Sequence, residues 1–205
     1  MAITVEASSC IASEIIAAAG NGEVHRLRKF CIEGFKGKGV QPINQWNVQG
    51  HTPLMAACLR GELEAVRFCL ENGAPVNVQD MCKMTALMIA CCESRLEIVK
   101  ALLEHKDEKI QLELGDLNGR TALHYAVARG SPTSIEIVKL LLKAGADVNT
   151  QKERRGETPL ILLAKAGHRS MVQFLLKDGK ADVDLQTNDT LETGLLHTLI
   201  LSLQI

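Results

Sequence analysis

The sequence predicts an all-α solenoid of stacked helix pairs joined by short β-hairpin-like finger turns. Three observations carry this expectation. One pattern recurs: HTPLMAACLRGELEAVRFCLENGAPVNVQ from His51, MTALMIACCESRLEIVKALLEH from Met84, RTALHYAVARGSPTSIEIVKLLLKAGADVNTQ from Arg120, and ETPLILLAKAGHRSMVQFLLKDGKADVDLQ from Glu157. Its threonines, Thr52, Thr85, Thr121 and Thr158, lie 33, 36 and 37 residues apart, and a period in that range marks a stacked repeat architecture. Each block carries two apolar stretches at helical spacing, separated by glycine in the blocks from His51, Arg120 and Glu157. Finally, the 205 residues are 46% hydrophobic but only 3% aromatic, which suits close-packed helices of alanine and leucine rather than a core of large rings.

The elements follow in order. Residues 1–12 are an N-terminal tail without the basic region and long apolar run of a secretory signal. Residues 13–46 form a divergent capping repeat, where SEIIAAAGNGEVHRLRKFCIEG shows the same succession of alanine pair, glycine and amphipathic helix. An insertion, FKGKGVQPI, lengthens its finger. Its two lysines among Gly34, Gly37 and Gly39 suggest a phosphate cradle, but GxxxxGK followed by Ser or Thr is missing, so the segment reads as a loop. Repeats are expected at 47–79, 80–114, 115–151 and 152–186, with an incomplete repeat at 187–205.

Within each repeat the threonine caps a first helix, and Pro53 and Pro159 take the first helical position, where a missing N–H costs little. Ala56, Ala57, Ala90 and Ala126 allow close helix approach, and Gly61, Gly130 and Gly167 end that helix. The second helix puts Val66, Cys69 and Leu70, then Val99, Leu102 and Leu103, then Val138, Leu141 and Leu142 on one face. It stops at Gly73, Gly145 or Gly179. In the block 80–114 the exit becomes KDEKIQLEL, and the block 115–151 carries SPTS between its helices; both are expected to be surface-loop variation. One helix pair cannot bury both apolar faces, so stacking creates the core.

The final stretch GLLHTLILSLQI is too short for a membrane span, which needs about 20 apolar residues. Thr193, Gly194 and Leu195 match the TPL start, so Leu196 to Leu201 are expected to form a first helix without its second. Two or three of Leu196, Leu199, Ile200 and Leu203 are then expected to be uncovered, each forgoing about 1.5–3 kcal/mol of burial. Such an end is expected of an alternative transcript, a truncated isoform, a fragment of a larger scaffold, or a chain end that docks on a partner.

Composition excludes several function classes. With 23 Lys and Arg against 24 Asp and Glu, the net charge is -1, and nothing overall favours nucleic acid or an anionic membrane. Seven cysteines without a CxxC fit reduced thiols, not a disulfide framework or a zinc site, and place the chain in the cytoplasm or nucleus. GxSxG, HExxH and a strand-linked GxGxxG are absent. His51, His124, His168 and His197 fall at repeat positions and read as capping or turn residues. No enzyme, no metal and no cofactor is expected.

The recurring TPL or TAL start, with TALH at Thr121–His124, and the GADVN exit at Gly145–Asn149 resemble the ankyrin repeat, over roughly Ser13 to Ile205. Only His124 keeps the histidine of TPLH; Met55, Met88 and Ile161 replace it, which implies a thinner hydrogen-bond network and more reliance on packing. The resemblance implies a non-catalytic protein-binding module, an adaptor or scaffold, that uses the concave surface of fingers and first helices. A stoichiometric inhibitor or regulatory subunit is the alternative. The corresponding finger positions include Val48, Gln49 and His51, then Met81, Cys82 and Met84, then Leu117, Asn118 and Arg120, then Arg154, Arg155 and Glu157. The helix positions are Leu59, Arg60, Cys92, Glu93, Ala128, Arg129, Lys165 and Ala166. Trp46, Val48, Met81, Met84, Leu117, Arg120, Arg154 and Arg155 are the partner-binding candidates, and they suggest a partner with an apolar centre and an acidic end. The partner is another protein, with no nucleic acid and no membrane, and the chain is a monomer unless its apolar C-terminal helix self-associates. LLKAGADVN also looks like the pattern on which some ankyrin proteins are hydroxylated at asparagine, which singles out Asn149.

Overall fold

The structure is a computed structural model that describes residues 12–33, 42–151 and 156–183. The chain falls into two compact units, Met1–Ile110 and Gln111–Ile205. The first contains α1 (residues 12–20), α2 (Val24–Glu33), a 3-10 turn at Pro42–Asn44, α3 (Pro53–Arg60), α4 (Leu63–Glu71), α5 (Ala86–Cys92) and α6 (Leu96–Glu104). Here α3 packs on α4 and α5, while α6 packs on α4 and α5, so successive helix pairs stack in two layers. The second unit contains α7 (Ala122–Arg129), α8 (Pro132–Lys143), α9 (Pro159–Ala166) and α10 (Arg169–Lys177), with α7 against both α8 and α9. The described residues include no β-strand; the fingers are hairpin-like turns only.

Each first helix starts as its residues dictate. The Thr52, Thr85 and Thr158 hydroxyls accept from the backbone N–H three residues on, at 3.2, 3.2 and 3.3 Å. At α7 an imidazole completes the cap. His124 Nδ1 accepts from Thr121 N at 3.2 Å and lies 3.0 Å from its hydroxyl, while Nε2 lies 3.2 Å from the Glu157 carbonyl oxygen. Nδ1 as acceptor and Nε2–H as donor satisfies every partner with a neutral ring. At α5 the Met88 thioether sulfur takes the imidazole's place, 3.5 Å from Thr85 N.

SPTS is a correction to the sequence reading. It is not a loop: Ser131 is the N-cap of α8, its hydroxyl accepting from Ser134 N at 3.1 Å, and Pro132 is the first helical residue. The extra residues lengthen the helix, to 12 residues against nine in α4, α6 and α10. The start of KDEKIQLEL also has a structural task. Glu108 accepts from Val76 N at 3.0 Å and from the Asn77 side chain at 2.8 Å, which fastens the preceding repeat's exit.

Three described non-glycine residues take a positive φ, Lys83, Ser94 and Lys180, and two of them lie in the block 80–114. Where other blocks place Gly61, Gly130 and Gly167 after the first helix, it places Ser94 at φ 53; where others place Gly50, Gly119 and Gly156 in the finger, it places Lys83 at φ 58. A left-handed L-residue costs roughly 1–2 kcal/mol, offset in part by the entropy a glycine would lose, roughly 0.5–1 kcal/mol. Ser94→Gly is therefore expected to raise stability by about 0.5–1 kcal/mol, read as a higher urea midpoint at unchanged m-value.

Candidate protein-binding surface

Three described fingers share one construction. Asn47 Oδ1 accepts from Gln49 N and His51 N at 2.9 and 3.0 Å. Asp80 Oδ1 accepts from Cys82 N and Met84 N at 2.8 Å each, and Asp116 Oδ1 does the same for Asn118 N and Arg120 N at 2.8 Å. The backbone N–H of Asn47, Asp80 and Asp116 closes each turn on the carbonyl four residues later, at 3.1, 3.0 and 3.0 Å. These three anchors escaped the sequence analysis, although an Asn or Asp stands five residues before Thr52, Thr85 and Thr121. That spacing is the signal that finds them, because such side chains bond the backbone two residues on and build turns.

Fixed turns hold their tip side chains in solvent. Val48 is 85% exposed, Met81 71% and Leu117 53%, and Trp46, just after the 3-10 turn, is 65% exposed. Met84 is half-buried, its N–H on Asp80. In the first unit, Met81 N donates to Gln49 O at 3.1 Å, so its two fingers are joined through backbone. His51 Nε2 adds a contact at 3.3 Å to Asp80 Oδ2. Leu59 and Arg60 are exposed at the end of α3, whereas Cys92 and Glu93 at the end of α5 are half-buried.

The second unit is more polar. Asp116 Oδ2 receives Arg120 Nε at 3.1 Å, Arg120 Nη2 at 3.0 Å and the Tyr125 hydroxyl at 2.8 Å, and the guanidinium carbon of Arg120 sits 4.9 Å from the Tyr125 ring centre. Burial raises the Asp116 pKa, but hydrogen bonds from Tyr125, Arg120 and Asn118 outweigh it and hold the carboxyl below its ordinary value. Arg120 thus braces its own finger. Lys165 pairs with the buried Glu157, and Ala128, Arg129 and Ala166 are exposed. Two of the expected cations are therefore engaged by carboxylates of their own unit. Arg154 and Arg155 lie outside the described residues, as does the C-terminal stretch from Gly194.

Asn149 is half-buried. Its side-chain oxygen accepts from Asp182 N at 2.8 Å, and its own N–H donates to Asp147 Oδ1 at 2.9 Å. The six described cysteines are free thiols. Burial, then the neighbouring Cys31, pushes the Cys69 thiol up to about 12, and burial likewise raises Cys58 and Cys91. Such thiols pack as small apolar groups. Among the described residues no cluster of His, Cys, Asp and Glu could hold a metal ion, and no helix is long and apolar enough to cross a membrane.

Stacked helix pairs with side chains displayed on pinned turns define a repeat scaffold of the interaction type. Family models for ankyrin repeats match residues 49–81, 73–152 and 134–200, and the chain belongs to the ankyrin-repeat family. Its similar relatives include the nuclear factor NF-kappa-B p105 subunit of Gallus gallus, 34% identical over 72% of this chain and 15% of that protein. The transient receptor potential cation channel subfamily A member 1 of Homo sapiens is 31% identical over 80% of this chain and 14% of its own length. Protein phosphatase 1 regulatory subunit 27 of Mus musculus is 37% identical over 40% of this chain and 49% of its own. The chain thus spans a small part of the first two and half of the third.

Proposed function

We propose that this chain is a non-catalytic protein–protein interaction module, an adaptor or scaffold, that binds a partner through its finger tips and the exposed ends of its first helices. One observation carries the reading. Val48 and Met81 are large apolar side chains held in solvent on two turns that are each pinned by a carboxylate or amide and joined to each other by backbone. A site already rigid before binding loses less entropy on association, and methionine adapts to varied apolar partners. Trp46 supplies a third anchor of a type enriched at hot spots. The partner is a protein rather than nucleic acid or a membrane, and the near-zero net charge supports this. The cytoplasm or nucleus is the proposed place of action, and a monomer the proposed state.

Affinity purification with mass spectrometry, comparing the wild type with the double variant Val48→Asp and Met81→Asp, tests the reading. Proteins recovered with the wild type are expected to disappear from the variant. Its unfolding free energy should change by no more than about 0.5 kcal/mol, as usual for exposed sites. Recovery of the same set by both proteins would sink the assignment. The likeness to a phosphatase regulatory subunit favours a second reading, in which the same surface blocks an enzyme stoichiometrically. A co-purified enzyme whose activity falls in proportion to added chain and levels off at equimolar chain would select it.

Asn149 is proposed as a site of asparagine hydroxylation. Protein from its native cell is expected to carry one added oxygen on the peptide containing Asn149; an unmodified peptide disposes of the idea.

A further inference from the structure

We propose that Lys83 sets the specificity of the finger surface: its ammonium recognises a carboxylate that neighbours a large apolar side chain of the partner protein. This rests on the finger-surface reading above and names the chemistry of what binds there.

Lys83 occupies a left-handed position, φ 58, where the equivalent fingers use Gly50, Gly119 and Gly156 at φ 77, 83 and 67. Everything the turn needs from this residue is main chain. Its N–H donates to the Asp80 carbonyl at 2.8 Å, and its carbonyl accepts from the Gln79 side chain at 2.6 Å. A glycine would make both bonds without strain. The side chain is exposed, and its ammonium has no hydrogen bond or ion pair with any described residue. A local rule is broken with no compensating side-chain contact among the described residues, which points to a role outside the turn itself.

The surroundings say which purpose. The same turn exposes Met81 and Cys82, and the backbone bond from Met81 to Gln49 joins it to the tip bearing Val48 and Gln49. None of these four residues is a lysine, arginine, aspartate or glutamate, so Lys83 is the one exposed ammonium of the two tips; the Asp80 carboxylate of its own turn is buried and taken up by Cys82 N, Met84 N and His51. Apolar contacts that exclude water strengthen an ion pair made beside them, and one unmatched cation calls for one anion in the bound segment. Ser94 is the internal control. It carries the same kind of strain, at φ 53, but sits half-buried between α5 and α6 rather than on a tip.

The test uses the full 205-residue chain and a phage-displayed random peptide library. Peptides selected by the wild type are expected to share an acidic residue at a fixed offset from a large apolar one. The consensus peptide, synthesised and labelled, should bind Lys83→Gly about fivefold more weakly, the effect of one partly exposed ion pair, and the difference should shrink as salt rises. Lys83→Arg should bind as the wild type does. Lys83→Gly and Ser94→Gly should both unfold at higher urea, yet only the former should lose affinity. Peptides without an acidic preference, or unchanged binding to Lys83→Gly, overturn the proposal. So does a Lys83→Gly variant that binds normally but self-associates, which would assign the lysine to solubility. Peptides lost on Val48→Asp but indifferent to Lys83→Gly sink the lysine alone. A wild-type chain that selects none sinks the finger surface and the lysine with it.

Discussion

Leu123→Ala is expected to cost about 2–5 kcal/mol of unfolding free energy, whereas Leu59→Ala should cost less than about 0.5 kcal/mol. The two leucines lie on first helices of their repeats and are the same chemical change, so only position separates them. Leu123 is 1% exposed on α7, which packs on both α8 and α9. Removing three carbons there leaves a cavity between three helices, and close-packed helices with alanine-rich contacts have little freedom to collapse into it. Leu59 is 43% exposed at the end of α3, so alanine leaves no cavity. The loss at Leu123 is a large share of a typical domain stability of about 5–15 kcal/mol. In a repeat array, whose stability sums the repeats' own stability and their nearest-neighbour interfaces, a loss on α7 weakens both the pairing with α8 inside its repeat and the interface with α9 of the next. Urea unfolding of both variants, followed by far-ultraviolet circular dichroism, checks the contrast. Equal midpoints for the two would show that α7 is not the core helix the burial pattern makes it.

The legible parts of the fold were those written in local chemistry. Thr52, Thr85 and Thr158 cap because a hydroxyl three residues before an N–H needs no distant partner. Pro53 and Pro159 start helices for an equally local reason. SPTS reads as a loop because a Ser-Pro pair is a common turn, but it is equally a helix start, and the continued apolar register of Ile137, Val138 and Leu141 makes it one here. The task of Glu108 was out of reach: its partners Val76 and Asn77 lie 32 and 31 residues away, and nothing near Glu108 announces them.

At the candidate surface the register of the repeat was enough to pick out Val48, Met81 and Leu117 as tip residues, since a hairpin-like turn points its middle side chains outward. What register could not tell is whom a charged tip residue serves. Arg120 looked like a hand held out to a partner, and it grips Asp116 and Tyr125 of its own unit. Lys83 carries no signal of its own in the sequence, because strain in φ is invisible until the turn is built and compared with its glycine counterparts.

Acidification from pH 7 to pH 5 is expected to destabilise the second unit, and His124→Met to remove much of that dependence. Burial is the largest cause holding the His124 pKa below its ordinary value of 6.5; Arg120 adds to it, while the Glu157 carbonyl bond and the Glu113 and Asp116 carboxylates oppose it. The folded pKa is therefore the lower of the two. Above about pH 6.5 the imidazole is neutral in both states and contributes no pH dependence. Below that, the unfolded chain takes up a proton that the folded chain refuses, so stability falls as pH falls, by at most about 1.4 kcal/mol per pH unit. The slope ends once the pH passes below the folded value. Asp116 acts in a separate, more acidic window: its folded pKa lies below 3.8, so its contribution is present above that value and is lost as pH falls further. Methionine is the informative replacement because Met88 fills the same place in α5, its sulfur 3.5 Å from Thr85 N. It keeps volume and a weak acceptor while removing the titrating ring, though it leaves the Glu157 carbonyl without its donor. Its midpoint should accordingly be lower than the wild type's at pH 7, and the gap should narrow towards pH 5. Urea midpoints at pH 7, 6 and 5 for both proteins decide the matter, since every other histidine is common to both and cancels in the difference. Parallel pH profiles would mean that the buried ring accepts a proton as readily in the folded chain as in the unfolded one, and that the neutral, Nε2-protonated cap is wrong.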